Sequence, residues 1–497
     1  MITREAIVMN KDRKQVLEKT IKRCREKNII IPTFEQMYNP EKVPQGIKDE
    51  LKNIGLWDLE PRNLFRITWK NEPVKHGGRF DGVNYIELPR EITGVKARVM
   101  VLVGKFFPTG AHKVGACFGP LVTKLITGEF DPTTQKAVWP STGNYCRGGA
   151  YDSYLLDVPA IAILPEGMSK ERFDWLKTVG SEIFATPGVE SNVKEIYDKC
   201  HELKAERGDG VVILNQFEDM TNMMWHYAVT GRAMEEVYEK NKKANQRFSA
   251  LFLTQGSAGT LGSAEYIRKF HPSVKVGAGE ALECPTLLYN GFGGHRIEGI
   301  GDKHVPWILN LKNMDMVAGI EDEKCMRMIR LFNEKKGHAY LKKQGVSDEI
   351  ISKLDLLGIS SVANIIGAIK MAKYYEMTEN DMVFTVATDS MELYGSRIKE
   401  LKEERGEYTD VDSAKDYETC LQEIDTEHLI ELSYRDKKRM HNLKYFTWVE
   451  QQGKEVEDLD AQWYDENWWS DRLDITDKWD KLINEFNEKT GLIKKYQ

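Results

Sequence analysis

Residues 250–270 read ALFLTQGSAGTLGSAEYIRKF. A short apolar run, ALFL, passes through a glycine-bearing turn, Thr254 to Gly262, into GSAEYIRKF, whose apolar residues recur at helical spacing. Gly256 and Gly259 let the backbone approach an anion, and the free N–H groups and dipole of a helix start favour a phosphate. The turn also reads as a plain strand-to-helix connection. A dinucleotide site is a third reading, because Glu280 ends the next apolar run about where a ribose-binding acid belongs. The spacing, however, is G-x-x-G-x-x-G and not the G-x-G-x-x-G of that motif.

Outward from this turn the texture persists from Tyr85 to about Leu401. Runs such as RVMVLVG, AVWPS, PAIAIL, EIFATPG, VVILNQF, VKVGAGEA and MVFTVATDS alternate with amphipathic ones such as AHKVGACFGPLVTKLI and RFDWLKTVG. Strands separated by helical patterns predict βαβ units, hence an α/β architecture with a parallel sheet covered on both faces. Residues 1–84 are charged and carry Pro32, Pro40, Pro44 and Pro61, which predicts a helical extension and not core. Residues 401–497 return to charged helical texture and hold Trp448, Trp463, Trp468, Trp469 and Trp479, five of the chain's 11 tryptophans, so this tail must pack on something. Covering core or subunit surface is the simplest reading of those aromatics, and a lid the second.

The 497 residues carry 70 Lys and Arg against 77 Asp and Glu, a net charge of −7, with 41% hydrophobic residues. This excludes a disordered or fibrous chain and argues against nucleic acid as a partner, which needs a basic face. Seven cysteines without a C-x-x-C pair suggest neither a disulfide framework nor a metal site, and predict a reducing compartment. No leader-like apolar run opens the chain and none approaches the length that spans a bilayer, so the reading is cytosolic. The single histidine of the first 84 residues, His76, has no spacing that suggests haem ligation.

Two more glycine-bearing turns follow apolar runs. Phe107-Pro-Thr-Gly-Ala-His-Lys113 brings Lys113 to a helix start. There it is either a solvated lysine or an amine that loses its proton cheaply and bonds a carbonyl. Pro140-Ser-Thr-Gly-Asn144 offers two hydroxyls, an amide and exposed N–H groups, suited to a carboxylate or to simple helix capping. A phosphate cradle, a lysine and a carboxylate cradle together fit pyridoxal 5'-phosphate carrying an amino acid.

The motifs resemble those of the fold-type II pyridoxal-phosphate enzymes, and within them the cysteine synthase and cystathionine β-synthase family, with a tryptophan synthase β-like flavour around the lysine. The resemblance runs from about Tyr85 to Tyr394 with its motifs in family order: PTGAHK, STGN, LPEGMSKERFDWLKTVGSEIFATPG, NQFEDMTNMMWHYAVTG, GSAGT, GHRIEGIGDKHVP and VATDSMELY. It implies a large cofactor-binding domain (85–109 and 220–400), a small movable domain (110–219) and added helical ends. It further implies Lys113 as the cofactor-bearing catalytic lysine, and Gly256, Ser257, Ala258, Gly259 and Thr260 as the phosphate loop. His112, Asn144 and Thr388 join the cofactor site, with Asn144 at the 3'-oxygen and Thr388, not Asp389, facing the pyridine nitrogen. Ser141, Thr142, Gly143, Asn144 and Gln216 are the implied substrate loop and its neighbour. No metal is implied, and a homodimer is.

Departures from the family pattern mark what the resemblance leaves open. Val114 follows the lysine, Tyr145-Cys146 replaces the usual Thr-Gly, and Asp302-Lys303-His304 crowds the Gly-Ile-Gly loop. Arg147 reads first as a surface or ion-paired residue and second as a ligand for an acidic group on the substrate. Cys146 reads as a small buried hydrophobe or a thiol at the site mouth. Asp302 and His304 read as structural hydrogen-bonders or as acid/base groups.

The implied reaction is β-replacement or β-elimination on a small amino acid (serine, activated serine or cysteine) through an aminoacrylate, with a second small nucleophile in the replacement case. A deaminase or thiolase-type lyase on the same cofactor is the nearest rival. A catalytically silent phosphate-ligand-binding protein and the dinucleotide oxidoreductase are the others.

Overall fold

The computed structural model describes residues 11–73, 78–141, 143–189 and 191–496; His76 and Thr142 lie outside the described residues. Eleven strands fall into two sheets. The larger contains β1 (Tyr85–Leu88), β2 (Arg98–Val103), β7 (Arg247–Thr254), β8 (Lys275–Ala281), β9 (Met316–Ile320), β10 (Asp381–Ala387) and β11 (Leu429–Glu431), in the spatial order β1-β2-β10-β7-β8-β9-β11. The smaller contains β3 (Lys136–Pro140), β4 (Ala160–Pro165), β5 (Glu182–Thr186) and β6 (Val211–Ile213), in the order β5-β4-β3-β6.

The expected parallel pairing holds for every pair of the smaller sheet and for β2-β10-β7-β8-β9. Both edges of the larger sheet are antiparallel instead. At β1 the cause is the short link of residues 89–97, because a parallel return needs a crossover of a dozen residues or more. At β11 a strand from the C-terminal tail covers the open side of β9, which corrects the reading of 401–497 as wholly helical; an uncovered edge is a hazard for misassociation.

The N-terminal segment is also more than an extension. Cys24, Ile29, Ile31, Phe34, Leu64 and Trp69 are buried in the same apolar cluster as Phe118 and Trp225 of the central region and Trp448 and Trp479 of the tail. The two ends clasp each other. Asp480 accepts from the backbone N–H of Phe34 and Glu35 at 2.6 and 2.9 Å, and Asn487 bonds both the N–H and the carbonyl of Ile31 at 3.1 and 2.8 Å. All five tail tryptophans are buried. Trp448 packs against Tyr197, His304 and Trp307 and donates from Nε1 to the carbonyl of Val305 at 2.8 Å. Beside it, buried Lys444 donates to the carbonyls of Trp307 and Leu309 and to Gln462 Oε1, so its three protons are all bonded.

Among the described residues no single helix is long and apolar enough to cross a membrane. All seven cysteines are unpaired and buried.

Trp448→Ala removes a fully buried indole and orphans the Val305 carbonyl. It should lower unfolding stability by about 3–5 kcal/mol, read as a fall in the denaturation midpoint, whereas Trp448→Phe should lose less.

Candidate active site

The turn that delivers Lys113 is strained. Thr109 sits at φ 67°, a conformation that costs a β-branched residue about 1–3 kcal/mol, and its hydroxyl is buried without a hydrogen-bond partner. From there the helix Lys113–Ile126 begins, and its first side chain enters a cavity between the two sheets. Lys113 Nζ donates to Gln216 Oε1 at 3.1 Å and Ser257 Oγ at 3.3 Å. Gln216 Nε2 in turn donates to Ser141 Oγ at 3.2 Å, so one amide ties the lysine to the loop before the helix Asn144–Leu155.

Lys113, Ser141, Asn144, Gln216, Gly256, Ser257 and Thr388 all line this cavity. His112, Ala258 and Thr260 line its continuation along the turn after β7. Residues spread over more than half the chain thus meet at one place. Gly143 and Gly259 are not among the lining residues: Arg172 lies against Gly143 and Asn222 against Gly259, each within reach of any Cβ placed there. Thr142, also expected here, lies outside the described residues.

The 256–260 turn is shaped as a cradle. A Cβ on Gly256 would stand 2.6 Å from the carbonyl oxygen of Gly299, a contact backbone cannot yield. Ser257 Oγ accepts from Asn222 Nδ2 and from the N–H of Gly259, which fixes the turn. Buried polar atoms without partners face this region: His112 Nδ1, Asn144 Oδ1 and Asp302 Oδ2. A glycine-walled anion cradle and a lysine amine are what a phosphorylated, carbonyl-bearing cofactor would satisfy. The residues fit pyridoxal phosphate.

Thr388 and Asp389 part company. Thr388 Oγ1 faces the cavity, 3.1 Å from His112 Nε2. Asp389 is turned away and accepts through Oδ2 from Asn144 Nδ2 at 2.5 Å and from Tyr394 OH at 2.7 Å. Burial keeps His112 neutral, its pKa pushed down to about 3.

The residues with two readings resolve individually. Cys146 is buried, donates to the Gly143 carbonyl, and has its thiol pushed up to about 12 by burial, so the small-hydrophobe reading describes it. His304 lies within 3.3 Å of Tyr197 OH among aromatic rings, and burial lowers it to about 3. Arg147 is not at the surface and has no ion-pair partner among the described residues: it is 2% exposed, flanked by the rings of Trp57 and Trp175, with Nε and Nη1 unbonded among those residues. Asp302 is no structural hydrogen-bonder through Oδ2, for it lines the cavity with that oxygen unpartnered. Glu280 is fully buried and accepts from the N–H of Leu287 and Leu288, so it has no oxygen for a ribose and the dinucleotide reading fails.

Sequence reasoning passed over three neighbours. Asn364 holds the strand ends through the N–H of Thr254 and the carbonyl of Val386; a lone amide in the apolar helix ISSVANIIGAIKMAKY was a visible signal. Arg172 and Glu298, paired at 3.3 Å, gave none, because their burial depends on partners far along the chain.

The family profile described as pyridoxal-phosphate dependent enzyme matches residues 84–340. A cysteine synthase of Staphylococcus aureus is 30% identical over 258 residues, covering 52% of this chain and 74% of that protein. Cystathionine beta-synthase of Saccharomyces cerevisiae is 26% identical over 317 residues, covering 62% and 59%. The crystal structure of O-acetyl serine sulfhydrylase isoform 3 from Entamoeba histolytica superposes with a TM-score of 0.54 at 23% identity, over 68% of this chain and 92% of that one. It shares the fold.

Gly256→Ala should drive the 256–260 turn off the Gly299 carbonyl at a cost of about 1–3 kcal/mol, seen as a lowered melting temperature together with loss of bound cofactor absorbance.

Proposed function

The chain belongs to the family of pyridoxal-phosphate dependent enzymes, and we propose that it catalyses β-elimination or β-replacement on a small amino acid of the serine or cysteine type. The observation that carries this reading is the single cavity that Lys113 shares with the Ser141–Asn144 loop and the Gly256–Ser257 turn. Bound there, pyridoxal phosphate supplies a carbonyl for covalent capture of amines and a conjugated ring that draws electrons from Cα.

In this reading the backbone of Gly256 to Thr260 would hold the phosphate at the glycine turn that follows β7. Lys113 would hold the group covalently and, with its amine free, would take the proton from Cα of the substrate. Its neighbours Gln216 and Ser257 hold the amine in place, and Gln216 also orients Ser141. Ser141, Thr142, Gly143 and Asn144 seat the substrate carboxylate.

Thr388 would face the ring nitrogen; the engagement of Asp389 by Asn144 and Tyr394 supports this choice. A neutral hydroxyl there would leave that nitrogen unprotonated and favour expulsion of the β-substituent over amino transfer. Residues 110–219, which contain all four strands of the smaller sheet, form the movable domain, and 85–109 with 220–400 the fixed one. A homodimer is the state the resemblance implies, the cytosolic reading rests on composition, and seven buried unpaired cysteines are in keeping with a reducing compartment.

Borohydride reduction of the holoenzyme followed by peptide mapping should place the pyridoxyl group on Lys113. A label on Lys105, Lys124 or Lys303 would overturn the assignment. Thr388→Asp should shift the visible absorbance and slow β-elimination, whereas Asp389→Asn should leave the absorbance in place; the reverse pattern would withdraw the reaction preference.

A further inference from the structure

Asp302 is the only carboxylic acid among the described residues that line the cavity, and it is 3% exposed. Its Oδ2 is buried with no hydrogen-bond partner among the described residues, while the backbone around it is firmly held. The N–H of Gly301 donates to the carbonyl of Gln255 at 3.0 Å, and His295 Nε2 donates to the carbonyl of Gly301 at 2.8 Å. Thr286 Oγ1 donates to the Asp302 carbonyl at 2.7 Å. Three residues on, Trp448 anchors Val305. A carboxyl kept orphaned on a fixed loop is costly unless something that enters the cavity bonds it.

Most of the other lining groups are occupied, and Asn144, whose Oδ1 is also unpartnered, is given to the cofactor and the substrate carboxylate. Lys113 takes the Cα proton, and Tyr145 turns its hydroxyl to the carbonyl of Leu214 at 3.1 Å. Ser141 accepts from Gln216, and Thr388 is engaged by His112. Resting on the function proposed above, we infer that Asp302 is the proton carrier for the β-substituent, and that the substrate is therefore an amino acid whose β-substituent is a poor leaving group, a hydroxyl or thiol.

As the Cα–H pair becomes the Cα–Cβ π bond, the Cβ–X bond breaks. X leaves with the Cβ–X pair and takes the proton of the Asp302 carboxylic acid, giving HX and a carboxylate. In replacement the incoming nucleophile H–Nu forms the Cβ–Nu bond with its lone pair and returns its proton to Asp302, while Lys113 returns the Cα proton. The sum is exchange of X for Nu with both residues restored.

Burial raises the Asp302 pKa to about 7, against the pull of the nearby Lys113, so both of its protonation states are accessible near neutrality. The titratable groups that surround it are Lys113, Tyr145, Tyr197, Cys284 and the neutral His304. The tyrosine and cysteine hydrogens stay on, because burial raises all three pKa values.

The test compares wild-type holoenzyme with Asp302→Asn, which keeps the side chain's shape. The wild-type-minus-variant infrared difference should show a protonated-carboxyl band that fades as pH rises through about 7. Turnover of serine and cysteine should fall by roughly 10²–10⁴-fold, while release of chloride from β-chloroalanine, which needs no proton, changes by less than about threefold. An unaltered infrared spectrum, an equal loss on β-chloroalanine, or undiminished turnover of serine and cysteine would overturn the assignment of Asp302. If instead the wild type acts on none of the three amino acids, the proposed function itself fails and takes the assignment with it.

Discussion

A line of buried polar bonds joins the two sheets, and the cavity exists because of it. Asn144, at the start of its helix, donates to Asp389 beyond β10, and Asp389 accepts from Tyr394. Arg172 donates to Tyr394 at 3.0 Å and pairs with Glu298, and Glu298 is held by Arg397 at 2.7 Å. Arg397 also donates to the Gly167 carbonyl, and Glu171 takes the N–H and hydroxyl of Ser396. Buried charges of this kind tolerate no missing partner, so the two sheets hold one spacing or separate together. The loop that ends at Asn144 sits on the first link, through Asn144, and on Arg172 beside Gly143. Any ligand that draws on Asn144 competes with Asp389 for it, and occupancy of the site is thereby coupled to the fit between domains.

The terminal segments reinforce the same seam from two sides. On one, Trp57 meets Trp175 edge-on at 5.2 Å, and Tyr151 donates to the carbonyl of Asp58, so the N-terminal segment touches the small-sheet side. On the other, Trp448 bridges Tyr197 to the loop of His304 and Trp307, and Lys454 pairs with Glu218. Burying such rings contributes about 1.5–3 kcal/mol each, enough to limit how far the sheets part.

What could be read from the sequence was what is local. Fully buried parallel strands are near-continuous apolar runs, so most strands were legible, and the glycine turns announced the cradle and the lysine because each motif is contiguous. Hydropathy hid the burial of Arg62, Asn63 and Arg66, whose charge and amide groups are satisfied by the carbonyls of Asn28, Gly55, Ile54 and Leu51. This is why residues 1–84 resembled an extension. The strand LIE of β11 was too short to show against a charged background. Arg147 read as a surface residue because Trp57 and Trp175, which cover it, come from two distant segments. The tie that Asp389 makes between the domains was not legible because its partner Asn144 is 245 residues away.

The clasp between the chain ends has a consequence for biosynthesis. Phe34 and Ile31 find their partners in Asp480 and Asn487, some 446 and 456 residues later. At ribosomal speeds of about 5–20 residues per second, the early segment waits roughly 20 to 90 seconds with its apolar face unmatched. The finished arrangement can close only after the last helix has left the exit tunnel. Premature termination anywhere upstream of Asp480 therefore yields a nascent product whose beginning, and not only its end, is a substrate for chaperones and proteases.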